Sequence, residues 1–199
     1  MPIPFDNTRI SATIRESIET KERLAAGCAD DIRRCGELLG AAAKNRKLIM
    51  FCGNGGSAAD SQHLAAELVV RLRSSINRAA IPALALTVDP SIMTAGGNDI
   101  GFENVFARGV EAYGNEGDVL VAISTSGNSP NVMNAAAEAT KRGIVTIGLL
   151  GGTGGKLAGQ CTASVVVPSP VTARIQESHI LIGHIWCEMI EETMFPELF

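Results

Sequence analysis

The chain predicts an α/β fold, a mostly parallel sheet of five strands sandwiched between helices and preceded by a helical extension. Three observations predict it. Short apolar runs recur between segments of helical periodicity, two of these runs break into loops rich in glycine or hydroxyl residues, and the first 45 residues carry helical spacing alone. Within those 45 residues Ile10, Ile14 and Ile18 form one stripe, and Ile32, Leu38 and Leu39 a second. Strands are then expected at 48–52, 82–87, 119–123, 145–149 and 164–167, with helices at 57–72, 91–95, 102–113, 130–142 and 172–194. Uniformly apolar strands alternating with helices are what a sheet buried on both faces requires, and ligands of such sheets gather at the carboxyl ends of the strands. Residues 1–45 are read as helices of the same domain as residues 46–199. They exceed what covering five strands needs, so an oligomer contact is expected of them, with a simple flap as the alternative.

Bulk composition narrows the function. The 199 residues, 46% apolar and 19% charged, suit one domain with a full core. A net charge of -4 and only 4% aromatic residues argue against nucleic acid, which selects a basic face or stacking rings. No apolar run approaches the roughly 18 residues of a spanning helix, and Met1-Pro-Ile-Pro-Phe5 lacks a basic region before an apolar core, so no membrane is expected. Cys28, Cys35, Cys52, Cys161 and Cys187 are odd in number and contain no Cys-x-x-Cys pair. They read as reduced thiols of a cytoplasmic protein.

The first expected strand runs into Cys52-Gly-Asn-Gly-Gly-Ser57. Glycines at 53, 55 and 56 remove side chains where backbone N–H groups must approach a ligand, and the following helix adds partial positive charge. Ser57 is expected as N-cap, with Asp60 as its capping-box partner. His63 and Glu67, four apart, then share a helix face and suit acid/base work or a metal. The third expected strand runs into Ser124-Thr-Ser-Gly-Asn-Ser129, with Ser129 as N-cap and Pro130 at the first helical position. Ordinary capping explains one such loop, but two at carboxyl strand ends point to an anion site, where hydroxyls and free amides surround a phosphate. Gly53, Gly55 and Ala58 also fit a loose dinucleotide pattern. That reading is weak, because Asp89 follows Gly53 by 36 residues where about 20 are expected, and because it leaves the serine loop unused.

A third constellation lies in the last helix. Gln176 and His184, eight residues apart, lie on broadly the same side of it, whereas His179 points at a different angle. Each histidine considered alone is more simply a hydrogen-bonded structural side chain, and spacing does not say whether this helix meets the one carrying His63 and Glu67.

Taken together, Cys-Gly-Asn-Gly-Gly-Ser57, His63 with Glu67, Gly-Asn98-Asp99, Ile-Ser-Thr-Ser-Gly-Asn-Ser129 and Arg-Ile-Gln176-Glu with His184 resemble the phosphoheptose isomerases of the sugar isomerase (SIS) domain superfamily. The resemblance runs from the early helices to the end of the last one. It implies a flavodoxin-like five-stranded parallel sheet over residues 46–199, a homotetramer with sites between subunits, and one zinc per subunit. It also implies that His63, Glu67, Gln176 and His184 bind the metal, with Glu67 and His184 as catalytic base and acid. Substrate contacts are implied for Asn54, Gly55, Gly56, Ser57, Glu67, Asn98, Asp99, Ser124, Thr125, Ser126, Ser129 and Gln176. The implied reaction converts sedoheptulose 7-phosphate to an aldose 7-phosphate through an enediol, at the head of surface heptose synthesis. Such a reaction needs a base, an acid and a stabiliser of oxygen charge, with the distant phosphate held to fix the reacting carbons. Two other readings stay open: a non-catalytic SIS protein that binds a partner, for which the apolar tail Met194-Phe-Pro-Glu-Leu-Phe199 speaks, and an isomerase of a shorter sugar phosphate. The intact set of four ligand-type residues weighs against the first.

Overall fold

The computed structural model describes residues 6–199; Met1-Pro-Ile-Pro-Phe5 lies outside the described residues. Five strands, β1 (Ile49–Cys52), β2 (Ala83–Ala85), β3 (Val119–Ser124), β4 (Val145–Gly151) and β5 (Ala163–Val167), pair in the order β2-β1-β3-β4-β5. All four pairings are parallel, with Ile49 opposite both Ala83 and Val119, Val119 opposite Val145, and Ile147 opposite Ala163. The side-chain period of two divides the strands between two cores. Ile49, Phe51, Val119, Val121, Ile123, Ile147 and Leu149 face one way, towards α1 (Asn7–Lys44), α2 (Gly56–Val69) and α6 (Thr172–Met194). Met50, Cys52, Leu120, Ala122 and Leu150 face the other, towards α4 (Val105–Tyr113) and α5 (Pro130–Lys141). The short helix α3 (Pro90–Asp99) leads from β2 towards α4.

Expected and observed elements differ mainly at their ends. The opening segment is one continuous helix of 38 residues, capped at its start by the Asp6 carboxylate, which accepts from Arg9 N at 3.0 Å. No proline interrupts it, and Gly36 and Gly40 serve packing: a Cβ at Gly36 would collide with Met189 of α6 and one at Gly40 would press on Thr193, whereas Gly27 has open space. Its burial begins at Thr20 and continues through Leu24, Cys28, Ile32, Cys35 and Leu39. Ile10, Ile14 and Ile18 are 44%, 56% and 51% exposed, so the first expected stripe contributes nothing to the core of this chain. Arg174 ties α6 to the first half of α1, donating to Glu16 and to the Thr13 carbonyl. The helix expected at 102–113 divides into a 3-10 turn and α4, and α3 extends four residues past its expected end, which puts Asn98 and Asp99 in a helical turn. Among the described residues no helix is long and apolar enough to cross a membrane, and all five cysteines are free.

His179 is a hydrogen-bonded structural side chain, the simpler reading of each histidine taken alone. It is fully buried, and Nε2 lies 3.0 Å from the Leu150 carbonyl, which can only accept, so the Nε2–H tautomer is present. Nδ1 is buried without a partner, and burial pushes the imidazole down to about 4. Between the ordinary histidine value and 4 the unfolded chain binds a proton that the native state refuses. Stability contributed at neutral pH is therefore lost as pH falls through that window. We expect His179→Gln to flatten this loss, the gap between variant and parent changing by up to about 3 kcal/mol between pH 7.5 and 4.5 in urea titrations.

Candidate active site

The strand order reverses direction at β1 and β3: the chain leaves β1 outward to β2, and leaves β3 the other way to β4. Where neighbouring connections diverge like this, a crevice opens at the carboxyl ends of the two strands. Both predicted loops lie there. Gly55 takes φ 56°, the left-handed region open to glycine, and serves as the N-cap of α2. The expectation that Ser57 caps this helix with Asp60 is thereby corrected. Ser57 lies inside the first turn, buried, and no side chain caps the helix, because the chain enters through a backbone conformation that serine adopts only under strain. At α5 the expected position is right and the bond is not. Ser129 is the N-cap residue, but its hydroxyl makes no capping bond and lies 2.9 Å from Ser124 Oγ. Two helix N-termini thus face the crevice without a bond from the N-cap side chain, although at α5 the Val132 amide already donates to Asn131 Oδ1 at 3.0 Å.

The serine loop is shaped by its own bonds. Ser124 Oγ accepts from Gly127 N at 3.1 Å, and Ser126 Oγ accepts from Asn128 N at 3.2 Å. Gly127, at φ 64°, presses on Gly154, so the turn after β4 buttresses it. The two loops are joined by a reciprocal amide pair: Asn54 Nδ2 donates to Asn131 Oδ1 at 2.9 Å, and Asn131 Nδ2 donates to Asn54 Oδ1 at 2.8 Å. Asn131 escapes sequence reasoning because an asparagine in the first turn of a helix is common there, and only the fold brings Asn54 across from it.

Running away from the loops, α2 and α6 lie side by side in the same direction. Gly56 meets Gln176, Leu64 packs on Gly183, and His63 meets His184. The two imidazole Nε2 atoms are 2.8 Å apart, and His63 Nε2 is 3.3 Å from Glu67 Oε1. One atom from each of His63, Glu67 and His184 lies within 4.8 Å of the others. Tetrahedral zinc with bonds near 2.0–2.1 Å sets its ligand atoms about 3.3 Å apart, so two imidazoles and a carboxylate at these separations suit a divalent cation with an open position. Asp60, one turn before His63, is partly buried with Oδ2 unpartnered; burial pushes its carboxyl up to about 6, against the pull of His63. At neutral pH it still adds negative charge beside the trio.

The remaining predicted residues lie apart from the trio. Gln176 lies with its amide against Gly56, at the loop end of the cleft between α2 and α6. Thr125 and Ser126 sit on the serine loop. Asn98 donates to Asp99 Oδ1 at 2.6 Å on α3, both exposed, and among the described residues no hydrogen bond or ion pair joins them to the trio.

The SIS domain family matches residues 14–151, beginning inside α1. A phosphoheptose isomerase of a Nitratiruptor species is 60% identical over 76% of this chain and 80% of its own length. One from Leptospira biflexa is 46% identical over 95% of this chain and 97% of its own. The chain belongs to the phosphoheptose isomerase family. A solved phosphoheptose isomerase from Neisseria gonorrhoeae superposes on it with a TM-score of 0.87 at 43% identity, covering 93% of this chain and 98% of that one. Family membership and fold thus agree over nearly the whole length.

A Cβ added at Gly56 would meet only the far end of the Gln176 side chain, which can swing away, whereas the amides of the first turn cannot. We expect Gly56→Ala to melt within a few degrees of the parent in calorimetry, while its affinity for inorganic phosphate, read by titration calorimetry, falls about tenfold or more.

Proposed function

We propose that this chain interconverts sedoheptulose 7-phosphate and D-glycero-D-manno-heptose 7-phosphate, a ketose–aldose isomerisation at the head of ADP-heptose synthesis for the lipopolysaccharide core. The observation that carries this reading is the meeting of His63, Glu67 and His184 within one cleft that ends at two uncapped helix N-termini. The serine loop (Ser124, Thr125, Ser126, Ser129) and the turn Asn54-Gly55-Gly56-Ser57 hold the phosphate and the distant hydroxyls. Asn98, Asp99 and Gln176 contact the sugar. Such remote binding fixes the reacting carbons and contributes several kcal/mol to lowering the barrier.

His63, Glu67 and His184 would hold zinc, with Gln176 as the fourth donor once its amide leaves the contact with Gly56 at the loop end of the cleft. Zinc supplies, when bound, Lewis acidity at the carbonyl and its neighbouring hydroxyl. The chain's own groups move the protons. Glu67 Oε1 and His184 Nε2 face the centre of the trio, which leaves Glu67 Oε2 and His184 Nδ1 without partners among the described residues. Glu67 takes the proton from carbon and His184 exchanges one at oxygen, through an enediol. This use of two atoms per side chain lets each act as ligand and as acid or base.

The assembly is a cytoplasmic homotetramer in which residues 1–45 contact other subunits while residues 46–199 form the SIS unit. Support comes from the exposed Ile10, Ile14 and Ile18, and from a groove of about 350 Å³ between α1 and α6 lined by Leu24, Ala25, Ile32, Leu181, Ile185 and Met189. A single charge on the isoleucine stripe, Ile14→Glu, should lower the mass measured by light scattering while circular dichroism stays that of the parent; an unchanged mass would remove α1 from the interface.

The deciding assay incubates purified protein with sedoheptulose 7-phosphate, with and without a chelator, and follows aldose formation. Conversion that the chelator abolishes and zinc restores is expected. Glu67→Gln should reduce turnover at least about a hundredfold while inorganic phosphate still binds. Near-normal turnover in that variant would remove Glu67 as the base.

A further inference from the structure

At the far end of the α2–α6 pair, beyond the catalytic trio, lies a buried ion pair. Arg78, in the irregular segment after α2, and Glu191, seven residues past His184 on α6, meet with Nε and Oε1 2.7 Å apart, and neither side chain has any solvent exposure. The other donors of Arg78 go to backbone, at the end of α2 and at the neighbouring Ala79. Nη2 donates to the Glu67 carbonyl at 2.7 Å, and Nη1 donates to the Leu68 carbonyl at 2.9 Å and the Ala79 carbonyl at 3.0 Å. Glu191 Oε1 also accepts from Leu72 N at 3.3 Å. The last carbonyls of a helix lack partners within it and carry the negative end of its dipole, so a guanidinium there completes α2. One of those carbonyls belongs to Glu67 itself.

We propose that Arg78 and Glu191 are positioning residues that set the register of α2 against α6, and through it the placement of the Glu67 carboxylate opposite His184; this rests on the function proposed above. Stability does not account for the pair. Desolvating two charges offsets most of their attraction, and apolar side chains of similar volume in such places are often as stable or more so. Glu191 Oε2 is buried without a partner, a further cost. What apolar contact lacks is direction. Leu64 on Gly183 allows the helices to rotate and slide, whereas a planar guanidinium bonded to three carbonyls and a carboxylate has one orientation.

Two variants of the full chain separate positioning from folding. The double variant Arg78→Met with Glu191→Leu removes both charges and keeps the volume. Arg78→Lys keeps the ion pair and loses the fork. In each variant that melts within a few degrees of the parent, kcat for sedoheptulose 7-phosphate should fall at least tenfold with KM changed less than threefold. The affinity for zinc, measured by competition with a chromophoric chelator, should fall at least tenfold. A folded variant with kcat and zinc affinity within twofold of the parent overturns the proposal, as does failure of both variants to fold, which would assign the pair to folding itself. Should the parent show no turnover, the proposed reaction fails while the zinc titration still decides the positioning role.

Discussion

The same-direction packing of α6 along α2 is the constraint on which the site depends. These helices are far apart in the chain, and each carries an incomplete set of groups: His63 and Glu67 on one, Gln176 and His184 on the other. Their contact is read out at successive levels, Gln176 on Gly56, Gly183 on Leu64, His184 on His63, and Glu191 on the Leu72 amide. A rotation of either helix by one residue, about 100°, would turn its groups out of the cleft. The small residues at 56 and 183 let the helices approach closely enough for imidazole to meet imidazole.

Neither loop at the anion end carries a cation of its own, and Lys156 meets the serine loop through its backbone N–H on Asn128 Oδ1. No lysine or arginine occurs between Cys52 and Ser61 or between Ser124 and Lys141, and the chain as a whole is acidic. The two loops themselves offer oriented dipoles: two helix N-termini without N-cap side-chain bonds, and hydroxyls held in place by bonds to one another and to backbone. The reciprocal pair of Asn54 and Asn131 keeps the two loops at one separation, so their donors are arranged together. Negative charge is kept at the other end, with Glu67 and Asp60 beside the histidines, where it favours a cation. The cleft is polarised along its length, and a sugar phosphate has the matching asymmetry.

Much of this is legible in the chain because strands and helices announce themselves by period. Strand apolarity, the two loops and the last helix from 172 to 194 follow from local spacing, and the family resemblance follows from the loops together. The capping of α2 is misread because Ser57 and Asp60 carry the pattern of a capping box, while the φ of Gly55 that displaces them depends on how β1 delivers the chain. Asn98 and Asp99 read as a loop beside glycines 96 and 97, yet Asp89 caps α3 firmly enough to carry the helix through them. Arg78 and Asn131 look like ordinary polar residues. Their partners, Glu191 and Asn54, lie 113 and 77 positions away.

By itself the sequence determined the class of fold, the places where an anion can be held, and the residue types available for proton transfer and metal binding. Periodicity, glycine freedom and side-chain chemistry are local properties. Tertiary structure alone decided which of those residues meet, that His179 goes to the sheet while His184 goes to His63, and that a buried guanidinium completes the helix carrying Glu67. Those outcomes depend on the register between elements distant in the chain, which long-range contacts between side chains decide and no local pattern encodes.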